Sequence, residues 1–402
     1  MSTGPGPACL VIADIAGYTG YLAGVELDHA QDILADLVDT VVRGLRPTLR
    51  LAKLEGDAAF AYVQAETIDG SLLQDTIEAT YTAFRRRLRD IDQASQCECD
   101  ACIRIGGLDL KFVVHHGLVI RQRMAGREEL VGRDVILVHR LLKNSVEDET
   151  GFRAYCLYTD AAVQAMGVDA AAQGLRPHRE STDLGDIGGW VRDLEAVWRR
   201  VQSGTRVEVR SEDAYARIAT DVPTPPPLTW EYVTSPVRRP QWGAAITSIV
   251  EQAPAGRRGA GTINHCMHGK DAIFEEILDW RPYEYWTTRA TMPGPGAPKL
   301  VMTDALIPLP DGSTRVEVRV GKPRPRERAA FEQLFPMVDA MIREGAVALR
   351  SALDAEHERR AALATEEPPE PLVPPSAGRH RAEPLGRATR TVDSEVGRSS
   401  SR

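Results

Sequence analysis

The sequence predicts an α+β protein built in two parts, each pairing a mostly antiparallel sheet with helices. Three observations predict it. Short apolar strands separated by glycine turns alternate with segments whose apolar residues recur at spacings of three and four. The order in the first half is strand, helix, hairpin, helix, hairpin, helix. In the second half several strands precede one long amphipathic helix, the pattern of a sheet wrapped around a helix.

Leu10-Val11-Ile12-Ala13 is an apolar strand running into Asp14 and the turn Ile15-Ala16-Gly17-Tyr18-Thr19. A helix follows, with Ala30, Ile33, Leu34, Leu37, Val38, Val41, Val42 and Leu45 on one stripe and Gly44 and Pro47 at its end. Leu49 to Glu55 and Ala58 to Val63 read as two strands joined by the tight turn Gly56-Asp57. A second helix covers about 71–91, and the cysteine loop Cys97–Cys102 comes next. Leu108, Leu110 and Phe112 then alternate with polar residues as a half-buried strand. His115-His116-Gly117 is expected to turn it back through Leu118-Val119-Ile120. A third helix follows Gly132, and the first domain is expected to occupy residues 1–200.

The second domain is expected at 206–360. Pro223 to Pro227 reads as a turn within it, because Trp230 and Tyr232 follow at once. Strands are expected at 261–268, 272–278, 283–292, 300–308 and 315–320, then a helix carrying Phe331, Leu334, Phe335, Val338, Met341, Ile342, Leu349 and Leu353. Residues 363–402, rich in Pro, Glu, Ser and Arg, are expected to be a disordered tail.

Composition narrows the function. With 402 residues, 43% hydrophobic and 26% charged, the chain has material for more than one core. A net charge of -8 argues against nucleic-acid binding, and runs such as Arg85-Arg86-Arg87 read as solvated helix faces. No apolar run approaches the roughly 18 residues of a membrane span, and there is no signal-like start, so a cytoplasmic location without membrane contact is the expectation. Six cysteines in a chain this long do not form a disulfide framework pattern, which fits reduced thiols.

The residues most suggestive of chemistry are Asp14 at a strand end and Asp57 at a hairpin tip. Hard cations such as Mg²⁺ are held by one or two carboxylates together with substrate phosphates, and a glycine turn entering a helix can present backbone N–H groups to phosphate. The alternative reading is structural: Asp14 caps the following helix and Asp57 stabilises the turn.

Asp14-Ile15-Ala16-Gly17-Tyr18-Thr19 resembles the opening signature of class III adenylate and guanylate cyclase catalytic domains. Lys53-Leu54-Glu55-Gly56-Asp57 resembles the second signature, Leu110–Val119 the following strand, and Glu129 through Arg140 the approach to the last helix of the domain. Residues 8 to 165 follow the family's order, which implies its ferredoxin-like core. A narrower similarity is to bacterial cyclase-like proteins of an uncharacterised family, which share the Cys-x-Cys-x-x-Cys loop and the Val-His-Arg-Leu-Leu-Lys-Asn helix. The resemblance implies Asp14 and Asp57 as ligands of Mg²⁺ or Mn²⁺, with the Ile15 carbonyl as a further ligand. It implies Lys53 and Glu129 as base-reading residues for ATP and Arg140 as the arginine that stabilises the transition state. Arg127 is a candidate phosphate contact. One position departs from the pattern: Ile136 stands where the family has a ribose-orienting asparagine, and losing such a polar contact costs about 10²–10³ in rate. Because the family builds each site from two protomers, the resemblance also implies a homodimer.

Cys97, Cys99 and Cys102 sit at metal-ligand spacing, with His115 or His116 as a fourth partner, so structural zinc and a plain reduced loop both stand as readings. The second domain resembles the helix-grip fold of the polyketide-cyclase, START and Bet v 1 group, on Thr229 to Pro236 with Trp242, Glu275–Arg281 with Trp280, and the final helix. That resemblance implies a small apolar ligand held between sheet and helix. Trp230, Trp242, Trp280, Tyr285 and Trp286 would line its cavity or belong to plain core. Two functions follow: a signalling protein that binds ATP–Mg²⁺ with weak adenylate cyclase activity coupled to an apolar-ligand domain, or a non-enzymatic dimeric sensor built on a degenerate cyclase fold.

Overall fold

β1 (Gly6–Ala16) is the axis of the first sheet. Cys9, Val11, Ala13 and Ile15 are buried on one of its faces, and Ala8, Leu10 and Ile12 on the other. This is the period of two expected of a strand covered on both sides. The computed structural model describes residues 4–22, 27–46, 48–94, 104–124, 126–243, 246–292 and 298–366.

After β1 come α1 (Tyr18–Leu22), α2 (Leu27–Leu45), the hairpin of β2 (Arg50–Glu55) and β3 (Ala58–Gln64), and α3 (Gly70–Ala94). β4 (Asp109–Met124) and β5 (Arg127–Val131) follow, then α4 (Arg133–Arg140), α5 (Val146–Thr150), β6 (Tyr155–Thr159) and α6 (Asp160–Met166). β7 (Arg176–Thr182), β8 (Gly185–Asp193) and α7 (Leu194–Ser203) close this part. The strands form one sheet in the order β2-β3-β1-β4-β6-β8-β7, with β5 beside β4. Among the described residues only β4 and β6 run parallel. One face is covered by α2, α3, α6 and α7 through residues such as Leu37, Phe84, Ala162 and Val197. The other is covered by α4 through Val135, Leu137 and Val138.

β4 corrects the expected hairpin at His115-His116-Gly117. It runs unbroken and stays paired with β1 from Asp109 to Val119. Gly117 serves a close approach instead of a turn: a Cβ there would lie 2.4 Å from the Asp134 carboxyl group, which accepts the Leu118 N–H at 2.6 Å. The reversal comes later, beside Gly126 at φ 84°. The turn at Gly56-Asp57 is where the sequence puts it, with Gly56 at φ 68°.

The second sheet contains β9 (Ala214–Val222), β10 (Ser248–Gln252), β11 (Ile263–His268), β12 (Asp271–Arg281), β13 (Tyr285–Thr291), β14 (Lys299–Pro308) and β15 (Thr314–Gly321). Its order is β10-β11-β12-β13-β14-β15-β9, antiparallel throughout. α8 (Pro226–Thr234) opens with proline in its first turn, which suits a position whose N–H has no helical acceptor. α9 (Arg328–Glu366) lies against the sheet through Phe331, Val338, Leu349 and Leu353. β9, which precedes the proline stretch and pairs with β15, has no counterpart among the expected strands.

Both sheets belong to one compact unit, Met1–His357. A second unit begins at Glu358, and its described part is the end of α9. The expected disordered tail lies, from 367 onward, outside the described residues. Among the described residues no helix is long and apolar enough to cross a membrane. Cys9, Cys156 and Cys266 are buried and unbridged. Burial pushes the Cys9 thiol up to about 12.

Candidate functional site

The end of β1 carries Asp14 toward the α4 side of the sheet, in register with Lys111 on β4 and Ala58 on β3. Asp57 follows Gly56 in the β2–β3 turn, so the topology brings both carboxylates to one end of the sheet. Partial burial, and after it the negative charge of Asp14, hold the Asp57 carboxyl above its ordinary range.

The sequence reading missed Lys111. Its ammonium lies 3.1 Å from Asp14 Oδ2, with side-chain exposures of 22% and 19%. It also approaches the Leu142 carbonyl at 3.5 Å. The only local sign is a lysine on an apolar strand between Leu110 and Phe112, which reads equally well as a solvated position. What gives it meaning is its register with Asp14, a pairing across the sheet. Among the described residues no three His, Cys, Asp or Glu side chains gather as a cation cage. The donors at this sheet end are two carboxylates, one of which has an ammonium of the chain itself beside it. Ile15 stands in the β1–β4 ladder opposite Leu110, its side chain in the core.

Two other residues implied by the resemblance, Lys53 and Arg140, are also engaged within the chain. Lys53 Nζ lies 2.7 Å from Glu55 Oε1, and His139 Nε2 lies 2.9 Å from Glu55 Oε2. Burial alone would raise the Glu55 carboxyl, but Lys53 and His139 hold it below the usual range. Arg140, 59% exposed, points to Asp183 at 3.4 Å. Ile136, on the outer face of α4, is 53% exposed. Glu129 and Arg127 lie on β5 opposite Gln122 and Met124. Gln122 is eleven residues along β4 from Lys111, which at the rise of a strand is ~35 Å. One chain does not bring Glu129 to Asp14.

The cysteine loop, Cys97, Cys99 and Cys102, lies outside the described residues. His115 shares a hydrogen bond with Thr159 Oγ1 at 3.0 Å, and His116 with the Ala65 carbonyl at 2.9 Å.

Between the second sheet and α9 lies a cavity of about 140 Å³, open on one side. Trp242 and Trp286 line it, together with apolar residues including Ile218, Met302, Ile342 and Leu349. Trp230 and Trp280, expected in its wall, take another place. Their indole N–H groups donate to Asp75 on α3, at 3.1 Å from Trp230 and 3.0 Å from Trp280. Tyr285 donates to Asp279 at 2.7 Å.

Three charged side chains on the cavity were not foreseen. Arg239 makes a two-pronged pair with Glu275, at 2.8 and 3.0 Å, and its guanidinium lies 5.2 Å from the centre of the Trp286 ring. Asp304 is the cross-strand partner of Trp286. Burial pushes its carboxyl up to about 7, against the pull of Arg239. A signal existed: Glu275 falls on the inward stripe with Ile273 and Ile277, where a strand facing a core should have none.

Residues 34–150 match a family described as a protein of unknown function (DUF2652). Over 133 residues the chain is 36% identical to the uncharacterized protein Rv2561/Rv2562 of Mycobacterium tuberculosis, a match covering 33% of this chain and 60% of that relative. The chain thus spans about 60% of the length of the curated relative it matches. In structure it is similar to the adenylyl cyclase CyaB from P. aeruginosa, with 13% identity, a TM-score of 0.35, and coverage of 48% of this chain and 96% of that one. It is also similar to DynU16, a putative protein in the dynemicin biosynthetic locus, with 23% identity, a TM-score of 0.27, and coverage of 34% and 48%.

Proposed function

We propose that this protein is a non-enzymatic sensor in which a degenerate cyclase-like part, residues 1–200, serves assembly and a helix-grip part, residues 206–360, holds a small apolar ligand. The observation that carries the first half of this reading is the Lys111 ammonium 3.1 Å from Asp14. It satisfies a carboxylate that nucleotide chemistry would need for Mg²⁺ or Mn²⁺. Ile136 removes a polar contact to ribose, and the pairing of Lys53 with Glu55 takes up the side chain that would read adenine. For the second half, the apolar wall of the cavity between sheet and α9 is the support. We further propose a homodimer, the assembly that the resemblance of residues 8 to 165 implies for a part serving assembly.

One observation favours the rival reading, an ATP–Mg²⁺ protein with weak adenylate cyclase activity. The charge of Asp14 is felt at Asp57, as two carboxylates sharing a cation require. The assay that separates the readings is cyclic AMP production from ATP with Mg²⁺ or Mn²⁺, comparing wild type with Asp57→Ala. Equal background from both is the expected result. A signal that disappears in Asp57→Ala would overturn the non-enzymatic reading.

A further inference from the structure

One carboxyl on the cavity wall is left open by the chain. The period of two along β14 turns Leu300, Met302, Asp304 and Leu306 to one face, so Asp304 stands in an otherwise apolar row. Its cross-strand neighbours are Trp286 on β13 and Val318 on β15, and all three line the cavity. Among the described residues Asp304 makes no hydrogen bond or ion pair. Its oxygens nonetheless keep surface open to water, unlike the sealed Arg239 Nε and Trp286 Nε1, and on this inward face that surface belongs to the cavity. A carboxyl set among apolar side chains needs a partner or a function.

Charge restricts what the partner can be. The titratable side chains lining the cavity are Arg239, His268, Glu275 and Asp304. Arg239 gives both terminal nitrogens to Glu275, at 2.8 and 3.0 Å, and the two charges cancel. Burial holds His268 below its usual range, so at about pH 8 it is neutral. α9 faces the space with Val338, Ile342 and Leu349 and brings no charge to it. Once Asp304 ionises, the wall carries two carboxylates against one guanidinium that is already taken. A cationic group would compensate the extra charge, whereas an anionic one would meet it. Size restricts the rest of the ligand: at about 140 Å³ the space is close to the ~150 Å³ apolar cavity known to hold benzene.

We propose that this cavity binds a small primary amine with an apolar body of about one aromatic ring, its ammonium donating to the Asp304 carboxylate. The inference rests on the reading of this part as an apolar-ligand site and adds the chemistry of the ligand's polar end. A charge-assisted hydrogen bond in a mostly apolar space should discriminate strongly against an analogue without the charge.

The test is calorimetric titration of the full chain at about pH 8, where Asp304 is ionised and benzylamine is still protonated. The comparison ligands are ethylbenzene (the same skeleton without the nitrogen), benzyl alcohol (a neutral donor) and benzoate. Benzylamine should bind about tenfold or more tightly than each of the three. Asp304→Asn, which keeps the shape and loses the charge, should weaken benzylamine about tenfold while leaving ethylbenzene within about twofold. Equal affinity of the wild type for benzylamine and ethylbenzene, or for benzylamine and benzyl alcohol, would overturn the amine proposal and leave the apolar-ligand reading standing. Tighter binding of benzoate would also overturn it, as would undiminished binding of benzylamine by Asp304→Asn. Binding of none of the four would overturn both. If Asp304→Asn lacks the wild-type circular dichroism, the wild-type affinity ratios decide alone.

Discussion

The end of the first sheet and the cavity of the second hold similar side chains in opposite states. At the first, several charged groups are engaged within the chain: Asp14 with Lys111, Glu55 with both Lys53 and His139, Arg140 with Asp183. In the second, Arg239 Nε and Trp286 Nε1 are buried without an acceptor, on side chains that line an apolar space. A polar cluster that satisfies itself contributes to the fold, whereas one left incomplete retains capacity to bind. Residues matching a motif are therefore weaker evidence than what those residues touch. Asp14 and Asp57 keep their places in the fold, yet the first has been given an internal cation.

The largest effect is expected where the two regions meet. α3 belongs to the first sheet, but its Glu78 receives Arg257 from the second half at 2.7 and 2.8 Å and Arg192 from β8 at 3.0 Å. Burial alone would raise Glu78, but the two arginines bring its carboxyl down to about 2. Glu78→Ala leaves two buried guanidinium groups short of an anion, and such a loss costs about 3–5 kcal/mol. In urea unfolding followed by tryptophan fluorescence, the whole transition should move to lower denaturant. A loss below about 1 kcal/mol, or a shift in only one of two separate transitions, would mean the regions are energetically independent.

Next in size is Lys111→Met, which removes the ammonium while keeping a chain that can follow the strand. With Asp14 and Asp57 no longer compensated, Mn²⁺ should bind the variant about tenfold or more tightly than wild type, and should raise the melting temperature of the variant alone. Equal Mn²⁺ affinities would show that Lys111 is not what closes the site, and the contrast drawn between the two regions would lose its first half.

How much of this was legible depends on whether the partner is near in sequence. The apolar alternation of β1 and the Gly56-Asp57 turn are local patterns, and they placed Asp14 and Asp57 correctly at one sheet end. The second sheet's strands from β11 to β15 and the long α9 were equally local. Lys111 was not legible, because an ion pair between β1 and β4 depends on a register that periodicity leaves open. Gly117 misled for a similar reason: a glycine in a strand marks either a turn or a close approach, and the approaching group, Asp134, comes from α4. Trp230 and Trp280 satisfy their indoles on Asp75, which lies in the other part of the chain. Glu275 and Asp304 could have been found, since a carboxylate on a core-facing stripe needs a partner or a function.

The smallest of the three effects concerns pH and separates the regions a third way. Asp304 in the cavity and Asp75 on α3 both have carboxyls pushed up to about 7, by burial first and against the pull of arginine. In each case the folded chain holds its proton more firmly than the unfolded one, whose value is 3.8. Stability from these two groups is therefore greatest below that value and falls as pH rises toward about 7. Glu78 acts in the other direction, its contribution disappearing as pH drops from 4.5 toward about 2. Melting temperature should therefore decline between about pH 5 and pH 8, where Glu78 stays ionised in both states. Asp304→Asn removes one source of that decline, so at about pH 8 it should equal or exceed wild type by about 1 kcal/mol, and its slope should be shallower. Asp57→Asn should flatten the slope less, because Asp57 is only half-buried and has Lys111 nearby. Equal flattening by the two variants would place the incompletely satisfied polar groups in both regions alike, and would remove the cavity's claim to be the more receptive site.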